Sequence, residues 1–214
     1  MSVAAKICGL SSAAAVEAAV QGGAAFVGFV FYPPSPRALA PSAAGALAAA
    51  VPAGVRRVGL FVDAEDEAIA AVLDEAPLDL LQFHGHEPPA RVAAARARFG
   101  LPVIKAVAIA GPADLATAAR YETVADMLLF DAKPPRRRGA LPGGNGLAFD
   151  WQLISGRRWA RPWMLSGGLT AELLPQAVRL SGAQIVDVSS GVEEAPGRKD
   201  LAKIRAFLAA ARAL

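Results

Sequence analysis

Short runs of apolar residues alternate along this chain with longer windows that are rich in alanine and carry regularly spaced polar residues. The apolar runs contain the β-branched and aromatic residues that favour strands. Several are continuously apolar, as expected of a parallel sheet that is covered on both faces. These runs predict eight strands, at residues 4–8, 25–31, 56–62, 79–83, 102–107, 126–131, 162–166 and 184–189.

The windows between the strands have the alanine content and the apolar spacing of helices. Alternation of strand and helix makes the strands parallel, because each helix carries the chain back across the sheet. Eight such units predict an α/β fold, a closed (β/α)8 TIM barrel in a single domain over residues 1–214; an open doubly wound sheet, which commonly has fewer strands, is the alternative. The predicted helices lie near 12–21, 42–50, 65–75, 88–98, 112–120, 149–155, 170–179 and 200–213.

The longest segment with neither pattern is 132–148, which follows the sixth predicted strand and is rich in proline, glycine and arginine. A loop of this length inside a compact domain is usually functional or disordered. Its three consecutive arginines, at 136–138, are interpreted as a solvated loop or as help in attracting an anionic ligand. The sequence does not distinguish a loop that closes over a substrate as a lid from one that does not.

Composition narrows the class of protein. Hydrophobic residues make up 54% of the chain and the mean hydropathy is +0.37, which is enough apolar material for a sizeable core. One cysteine permits no internal disulfide, and the N-terminus lacks a convincing secretory signal, so we expect a cytoplasmic protein. No apolar run is long enough to span a membrane, and a net charge of +3 gives little support to nucleic-acid binding.

The barrel prediction gives chemical meaning to the strand ends, because active sites in such barrels lie at the carboxyl ends of the strands. Cys8, the only cysteine, ends the first predicted strand, and Asp131 ends the sixth. Since side chains alternate along a strand, a Cys8 that faces the barrel mouth places Lys6 inside the barrel beneath it. The other polar residues at or just beyond strand ends are Arg37, Asp63, Gln82, His84, Ser166, Asp187, Ser189 and Ser190.

Three glycine-bearing segments lie near the same end of the predicted barrel: GGNG (143–146), SGGL (166–169) and SSGVE (189–193). The last two follow the seventh and eighth strands, where loops and a helix N-terminus often bind a phosphate group. Glycine lets backbone N–H groups approach the anion closely. Each segment alone is typical of a plain turn, but two at adjacent strand ends favour a phosphate site.

As a set, the motifs resemble those of the phosphoribosylanthranilate isomerase family, in order and at consistent spacing from residue 6 to about residue 200. The family fold is a (β/α)8 barrel, in agreement with the strand count. The resemblance implies the Amadori rearrangement of tryptophan biosynthesis, in which N-(5-phosphoribosyl)anthranilate becomes 1-(2-carboxyphenylamino)-1-deoxyribulose 5-phosphate. It implies a small phosphosugar substrate, no cofactor, no metal, and a monomer or homodimer. The segments are KICGL (6–10), GFVFYPPSPR (28–37), LLQFHG (80–85), LLFDAK (128–133), GGNGLAFDW (143–151), LSGGL (165–169) and VDVSSGVEEAPGRKD (186–200).

This reaction needs an acid that protonates the ribose ring oxygen and a base that removes the C2′ proton. The resemblance implies that Asp131 is the acid and Cys8 the base. A thiol acts as a base only as thiolate, and its ordinary pKa is about 8.5. A helix N-terminus just after Cys8, together with Lys6, would favour the thiolate. Asp131 has the opposite need, because it must keep its proton, as an apolar wall or a nearby anion would favour.

The resemblance also implies the binding residues. Arg37 binds the anthranilate carboxylate, for which a guanidinium fork is suited, and Asp187 accepts hydrogen bonds from the sugar hydroxyls. Without the resemblance, Arg37 is interpreted as a surface arginine and Asp187 as a polar core residue. Asn145 stands where the family usually has threonine, a change that a backbone phosphate cradle would tolerate. The implied phosphate contacts are Gly144, Gly167, Gly168, Ser190 and Gly191.

Two features are open to more than one interpretation. Gln82 and His84 are expected to contact the substrate and His86 to be solvated; this H-x-H pair lacks the companion ligands of a metal site. Lys105, on the fifth strand, is either a buried ion-paired lysine, which we favour, or the Schiff-base lysine of an aldolase. A non-catalytic phosphosugar-binding module is a third hypothesis, but the presence of both catalytic candidates speaks against it.

Overall fold

A computed structural model describes residues 2–135 and 141–214. Eight parallel strands form the barrel: β1 (Ala4–Cys8), β2 (Phe26–Val30), β3 (Arg56–Phe61), β4 (Leu80–Phe83), β5 (Val103–Ile109), β6 (Met127–Ala132), β7 (Trp163–Leu165) and β8 (Ile185–Val188). They pair in chain order, and β1 also pairs with β8, so the barrel is closed. The predicted TIM barrel is confirmed, and the open-sheet alternative is wrong.

In the described part of the chain, seven α-helices surround the barrel: α1 (Ala13–Gln21), α2 (Pro41–Ala49), α3 (Asp66–Glu75), α4 (Pro89–Phe99), α5 (Pro112–Ala119), α6 (Leu174–Ser181) and α7 (Leu201–Arg212). Local residues define their ends. The Ser12 hydroxyl accepts a hydrogen bond from the Ala15 N–H at the start of α1, and the Asp200 carboxylate accepts from Ala202 and Lys203 at the start of α7. Gly100, in the left-handed region, ends α4.

The sequence prediction misplaces two helices. The one predicted near 149–155 is a single 3-10 turn, Trp151–Ile154, because a left-handed Gly156 follows it almost at once. The one predicted for 170–179 begins only at Leu174. The Thr170 hydroxyl accepts from the Leu173 N–H in the preceding turn, and Pro175 suits the first turn of the helix.

The apolar side chains form two layers that follow the alternation of each strand. Phe26, Val58 and Leu129 belong to a cluster that fills the barrel interior. Leu128 and Phe130, the neighbours of Leu129 on β6, belong instead to the larger core between the barrel and the helices. This alternation turns the next inward position on β6 towards the barrel mouth.

A short antiparallel hairpin follows β8 and was not predicted. It consists of β9 (Glu193–Ala195) and β10 (Arg198–Lys199), after a 3-10 turn at Ser190–Val192. Gly197 takes a positive φ of 81° in the connecting turn. The hairpin brings Glu193 and Lys199 to the barrel mouth.

The segment after β6 contains neither helix nor strand in residues 133–135 and 141–150. This part agrees with the predicted loop at 132–148. The three arginines at 136–138 lie outside the described residues. No helix in the described part of the chain is long and apolar enough to cross a membrane.

Candidate active site

A cleft of about 750 Å³, measured with the space at its open mouth, lies at the carboxyl ends of the barrel strands. All but one of the predicted site residues line it; the exception is Gln82. The ones that line it are Cys8, Arg37, His84, Asp131, Gly144, Gly167, Gly168, Asp187, Ser190 and Gly191. The barrel therefore brings residues from seven separate segments of the chain to one place.

Cys8 stands above a buried ion pair. The register of β1 with β8 sets Lys6 beside Asp187, and the Lys6 ammonium, which is fully buried, donates to Asp187 Oδ1 at 2.7 Å. The Ser166 hydroxyl donates to Asp187 Oδ2 at 3.0 Å. Both oxygens of this buried carboxylate thus have partners, as a buried charge requires.

The neighbours of Lys6 stabilise its positive charge. Burial opposes the charge, but Asp187 and, to a smaller extent, Cys8 outweigh burial and raise the pKa of Lys6 above its ordinary value. Gly28 on β2 leaves the space for this arrangement. A Cβ at Gly28 would lie 3.0 Å from Cys8 Sγ and 3.2 Å from Lys6 Nζ. The thiol therefore shares a confined space with a fully buried cation.

Asp131 has different surroundings on the other side of the cleft. Its Oδ1 accepts from the Ala132 N–H at 2.8 Å, and its Oδ2 lies 3.1 Å from His84 Nε2. The other ring nitrogen of His84, Nδ1, lies 2.9 Å from the amide nitrogen of Gln82. Gln82 is fully buried beneath His84. The groups that form hydrogen bonds with Asp131 are thus the imidazole of His84 and a backbone N–H.

Arg37 is buried at the rim of the cleft and fixed along one edge. Its Nε and one terminal nitrogen donate to the two oxygens of Glu193, at 2.7 and 2.8 Å. A Cβ at Gly9 or Gly144 would lie 2.6 Å from an atom of the Arg37 side chain, so two glycines make room for it. This bidentate pair leaves the remaining terminal nitrogen of the guanidinium for the cleft.

Two residues that were not predicted from the sequence, Glu193 and Lys199, hold Arg37 in place. Lys199 Nζ donates to Glu193 Oε1 at 2.9 Å and to the Ser189 carbonyl at 2.8 Å. Burial alone would raise the pKa of Glu193, but the hydrogen bond from Arg37 and the charge of Lys199 hold it below its usual value. Burial, only partly offset by Glu193, lowers the pKa of Lys199. The sequence signal was a pair of opposite charges that flank an Ala-Pro-Gly turn.

The predicted phosphate contacts lie in three loops, after β6, β7 and β8. Gly167 and Gly168 both have positive φ, of 90° and 65°, in the turn that follows β7. A Cβ at Gly191 would overlap the Leu169 carbonyl, so the loops after β7 and β8 touch there. The Asn145 side chain donates to the Leu141 carbonyl at 2.8 Å, within its own loop.

Lys105 lies on the outer face of β5, away from the cleft. It donates to Glu87 Oε2 at 2.7 Å and to the Gly85 carbonyl at 2.8 Å, and burial lowers its pKa despite Glu87. It is the buried ion-paired lysine of the favoured interpretation. The His86 side chain is 94% exposed, as predicted. In residues 2–135 and 141–214, no three His, Cys, Asp or Glu side chains cluster as a metal site would require.

Comparison with known proteins identifies similar chains over the full length. The family model described as N-(5′-phosphoribosyl)anthranilate (PRA) isomerase matches residues 5–210. The N-(5′-phosphoribosyl)anthranilate isomerase of Rhodospirillum centenum is 59% identical over 214 residues, 100% of each chain. A crystal structure of phosphoribosyl anthranilate isomerase in complex with reduced 1-(o-carboxyphenylamino)-1-deoxyribulose 5-phosphate is 36% identical, with a TM-score of 0.86 over 99% of this chain and 100% of that one. A structure of mutually generated monomers of the dimeric enzyme from Thermotoga maritima is also 36% identical, with a TM-score of 0.85 over the same shares.

Proposed function

The chain belongs to the N-(5′-phosphoribosyl)anthranilate isomerase family, and we propose that Cys8 and Asp131 catalyse the family's reaction in the cleft described above. That reaction converts N-(5-phosphoribosyl)anthranilate to 1-(2-carboxyphenylamino)-1-deoxyribulose 5-phosphate, a step of tryptophan biosynthesis. The observation that carries the assignment is the contrast within one cleft. Its thiol adjoins a buried cation, whereas its carboxyl group forms hydrogen bonds with an imidazole and a backbone N–H.

The reaction begins when Asp131 gives its proton to the ring oxygen of the ribose. The bond from C1′ to that oxygen breaks, and the lone pair of the anthranilate nitrogen forms a C=N bond, which gives a protonated Schiff base. The Cys8 thiolate then takes the C2′ proton, and the electrons of that C–H bond form a C1′=C2′ double bond as the nitrogen regains its lone pair. The enolamine becomes the ketone when the C2′ hydroxyl loses a proton and C1′ gains one. The first two steps are each a proton transfer by a positioned group.

The buried cation supports the base. A thiolate is favoured by adjacent positive charge, and the Lys6 ammonium is held in place by Asp187 beneath Cys8. Asp187 therefore has two roles in the proposal. It holds Lys6 in place, and its carboxylate oxygens accept hydrogen bonds from the sugar hydroxyls. Gln82 does not line the cleft, so we assign it no contact with the substrate.

Arg37 is the proposed partner of the anthranilate carboxylate. Glu193 occupies one edge of its guanidinium, and the terminal nitrogen on the cleft side is the donor for an incoming carboxylate. We propose that the phosphate group binds to backbone N–H groups of Gly144, Gly167, Gly168, Ser190 and Gly191. Glycines let backbone N–H groups approach an anion closely.

We further propose that residues 1–214 act as one domain, as a monomer or homodimer, in the cytoplasm. The relative from Thermotoga maritima is described as dimeric, which supports the homodimer as one of the two states. The cytoplasmic location rests on the biosynthetic reaction and on the single cysteine. An aldolase has no support, because Lys105 faces away from the cleft and is held by Glu87 and Gly85.

A fluorescence assay with freshly made phosphoribosylanthranilate tests the proposal. We expect Cys8→Ala and Asp131→Asn each to lower kcat by about 10²- to 10⁴-fold, the usual size of a general acid or base contribution. His86→Ala serves as the control, because this exposed side chain lies outside the cleft. No turnover by the wild type would refute the activity, and normal turnover by both cleft variants would refute the assigned residues.

A further inference from the structure

Gln82, His84 and Asp131 form a chain of hydrogen bonds from the barrel interior to the cleft. The Gln82 amide nitrogen lies 2.9 Å from His84 Nδ1, and His84 Nε2 lies 3.1 Å from Asp131 Oδ2. Gln82 and Asp131 differ in whether they reach the cleft. Gln82 is fully buried and does not line the cleft, whereas Asp131 does. Gln82 can therefore influence the reaction only through His84.

The amide of Gln82 determines which nitrogen of the ring carries the proton. An amide nitrogen donates and does not accept, so Nδ1 of His84 must be the acceptor of this bond. In a neutral imidazole the proton then lies on Nε2, which donates to Asp131 Oδ2. The Ala132 N–H donates to the other oxygen at 2.8 Å. Each oxygen of Asp131 thus receives one hydrogen bond from the protein.

This arrangement directs the proton of the acid. When Asp131 is protonated, its proton cannot point at His84 Nε2, because that position is already occupied by a hydrogen. The acidic proton is left to face the cleft, where the ring oxygen of the substrate has to be protonated. With the opposite tautomer, the bare Nε2 would accept the proton of Asp131 and turn it away from the substrate.

We infer that Gln82 is a positioning residue that fixes the Nε2–H tautomer of His84 and thereby keeps the acidic proton of Asp131 directed at the substrate. The inference rests on the proposed function, which makes Asp131 the acid. Gln82 Oε1 is buried and has no hydrogen-bond partner among the described residues. The bond to His84 is thus the one that the side chain of Gln82 makes.

The substitution Gln82→Glu reverses the pattern. An ionised carboxylate accepts and does not donate, so it draws the proton to Nδ1 and leaves Nε2 bare. Gln82→Met has a similar length and makes no strong hydrogen bond, so it leaves the tautomer unfixed. Both side chains are close to glutamine in size, which limits the effect on packing. Thermal unfolding of each variant reports whether it folds.

Nitrogen-15 spectra of histidine-labelled protein measure the tautomer directly, because protonated and bare ring nitrogens have well-separated shifts. The chain has two histidines, and the exposed His86 is an internal reference. At mildly alkaline pH we expect a proton on Nε2 of His84 in the wild type and on Nδ1 in Gln82→Glu. Lost orientation of the acid should lower kcat by about 100-fold in Gln82→Glu and by about 10-fold in Gln82→Met. KM should stay within about 2-fold, because Gln82 does not touch the substrate.

A proton on Nδ1 in the wild type would overturn the inference. So would a Gln82→Glu protein whose introduced carboxyl group is ionised and which has wild-type kcat or keeps the proton on Nε2. If the introduced carboxyl group stays protonated, or if neither variant folds, the wild-type spectrum still decides. Failure of the proposed function is seen separately, as absent turnover by the wild type, while the spectra continue to test the bond from Gln82 to His84.

Discussion

Two buried lysines in this barrel have nearly the same immediate partner and very different positions. Lys6 lies inside the barrel and Lys105 between the barrel and the helices, and each donates to a carboxylate at 2.7 Å. Lys6 pairs with Asp187 and Lys105 with Glu87. Neither is more than 2% exposed. Comparing them separates what a buried ion pair does for stability from what it does for chemistry.

Their surroundings change the two lysines in opposite directions. Burial favours the neutral amine at both sites. Asp187 and Cys8 outweigh burial at Lys6 and raise its pKa, whereas burial outweighs Glu87 at Lys105 and lowers its pKa. The extra partner of Lys6 is the cleft thiol.

The partner of Lys105 has a structural duty instead. Glu87 accepts from the backbone N–H groups of Asp63 and Gly85, at 2.8 and 3.0 Å, in the loops after β3 and β4. Lys105 itself donates to the Gly85 carbonyl. The pair of Lys105 and Glu87 therefore holds the backbone of the loop that follows His84, at the edge of the cleft, in place. The position of an ion pair in the barrel, rather than its geometry, therefore decides its role.

The largest expected effect separates the two pairs directly. Lys6→Met should lower the free energy of unfolding by about 3–5 kcal/mol, because Asp187 is left as an unpaired buried charge. It should also lower kcat by about 100-fold, because Cys8 loses its cation. The same loss should slow the alkylation of Cys8 by iodoacetamide. Urea unfolding, steady-state kinetics and the alkylation rate measure the three consequences. Cys8 is the only thiol, so alkylation reports one site.

Lys105→Met is the matched control for that experiment. We expect a similar loss of stability, since Glu87 is left unpaired in the same way, together with an unchanged rate of Cys8 alkylation. Equal slowing of alkylation in both variants would contradict the comparison, because it would show that the slowing does not depend on the cation next to the thiol.

A smaller effect is expected from Gly28→Ala, which crowds the space between the thiol and the ammonium. The added methyl group would lie 3.0 Å from Cys8 Sγ and 3.2 Å from Lys6 Nζ, so one of them has to move. We expect kcat to fall by about 10-fold and stability to fall by about 1–3 kcal/mol, the usual range for overpacking. Kinetics and urea unfolding of the variant measure both. Unchanged kcat together with lost stability would mean that the contact between Lys6 and Cys8 has no part in the reaction.

Much of this architecture was readable from the sequence, because it depends on local pattern. Apolar runs predicted the eight strands, alanine-rich windows predicted the helices between them, and the strand ends selected Cys8 and Asp131. Helix type was harder to predict where a few residues decide it, as at the short turn Trp151–Ile154 before Gly156.

The contacts that support the site could not be predicted in the same way. The bond from Lys6 to Asp187 joins residues 181 positions apart and depends on the register of β1 with β8. The position of Gln82 beneath His84 depends on how far each side chain reaches into the cleft. The pairing of Glu193 with Arg37 depends on a hairpin of very short strands. None of these distances leaves a periodic signal in the sequence.

Glu193 extends the comparison to a third buried pair, which supports binding. Glu193→Gln keeps the size of the side chain but removes the charge that orders Arg37. We expect KM to rise by about 5-fold with little change in kcat, because the contact proposed for Arg37 is with the anthranilate carboxylate, far from the reacting atoms. A fall in kcat at unchanged KM would instead assign Arg37 to the chemical step.

The same variant tests the lowered pKa of Glu193. A carboxylate with a depressed pKa stabilises the fold above its unfolded pKa of about 4.3, and this contribution is lost as the pH falls through the lower folded value. The wild type should therefore exceed the variant in unfolding free energy by about 1–3 kcal/mol at neutral pH, a difference that closes in acid. A difference that persists in acid would mean that the stability comes from packing around Glu193 and not from its charge.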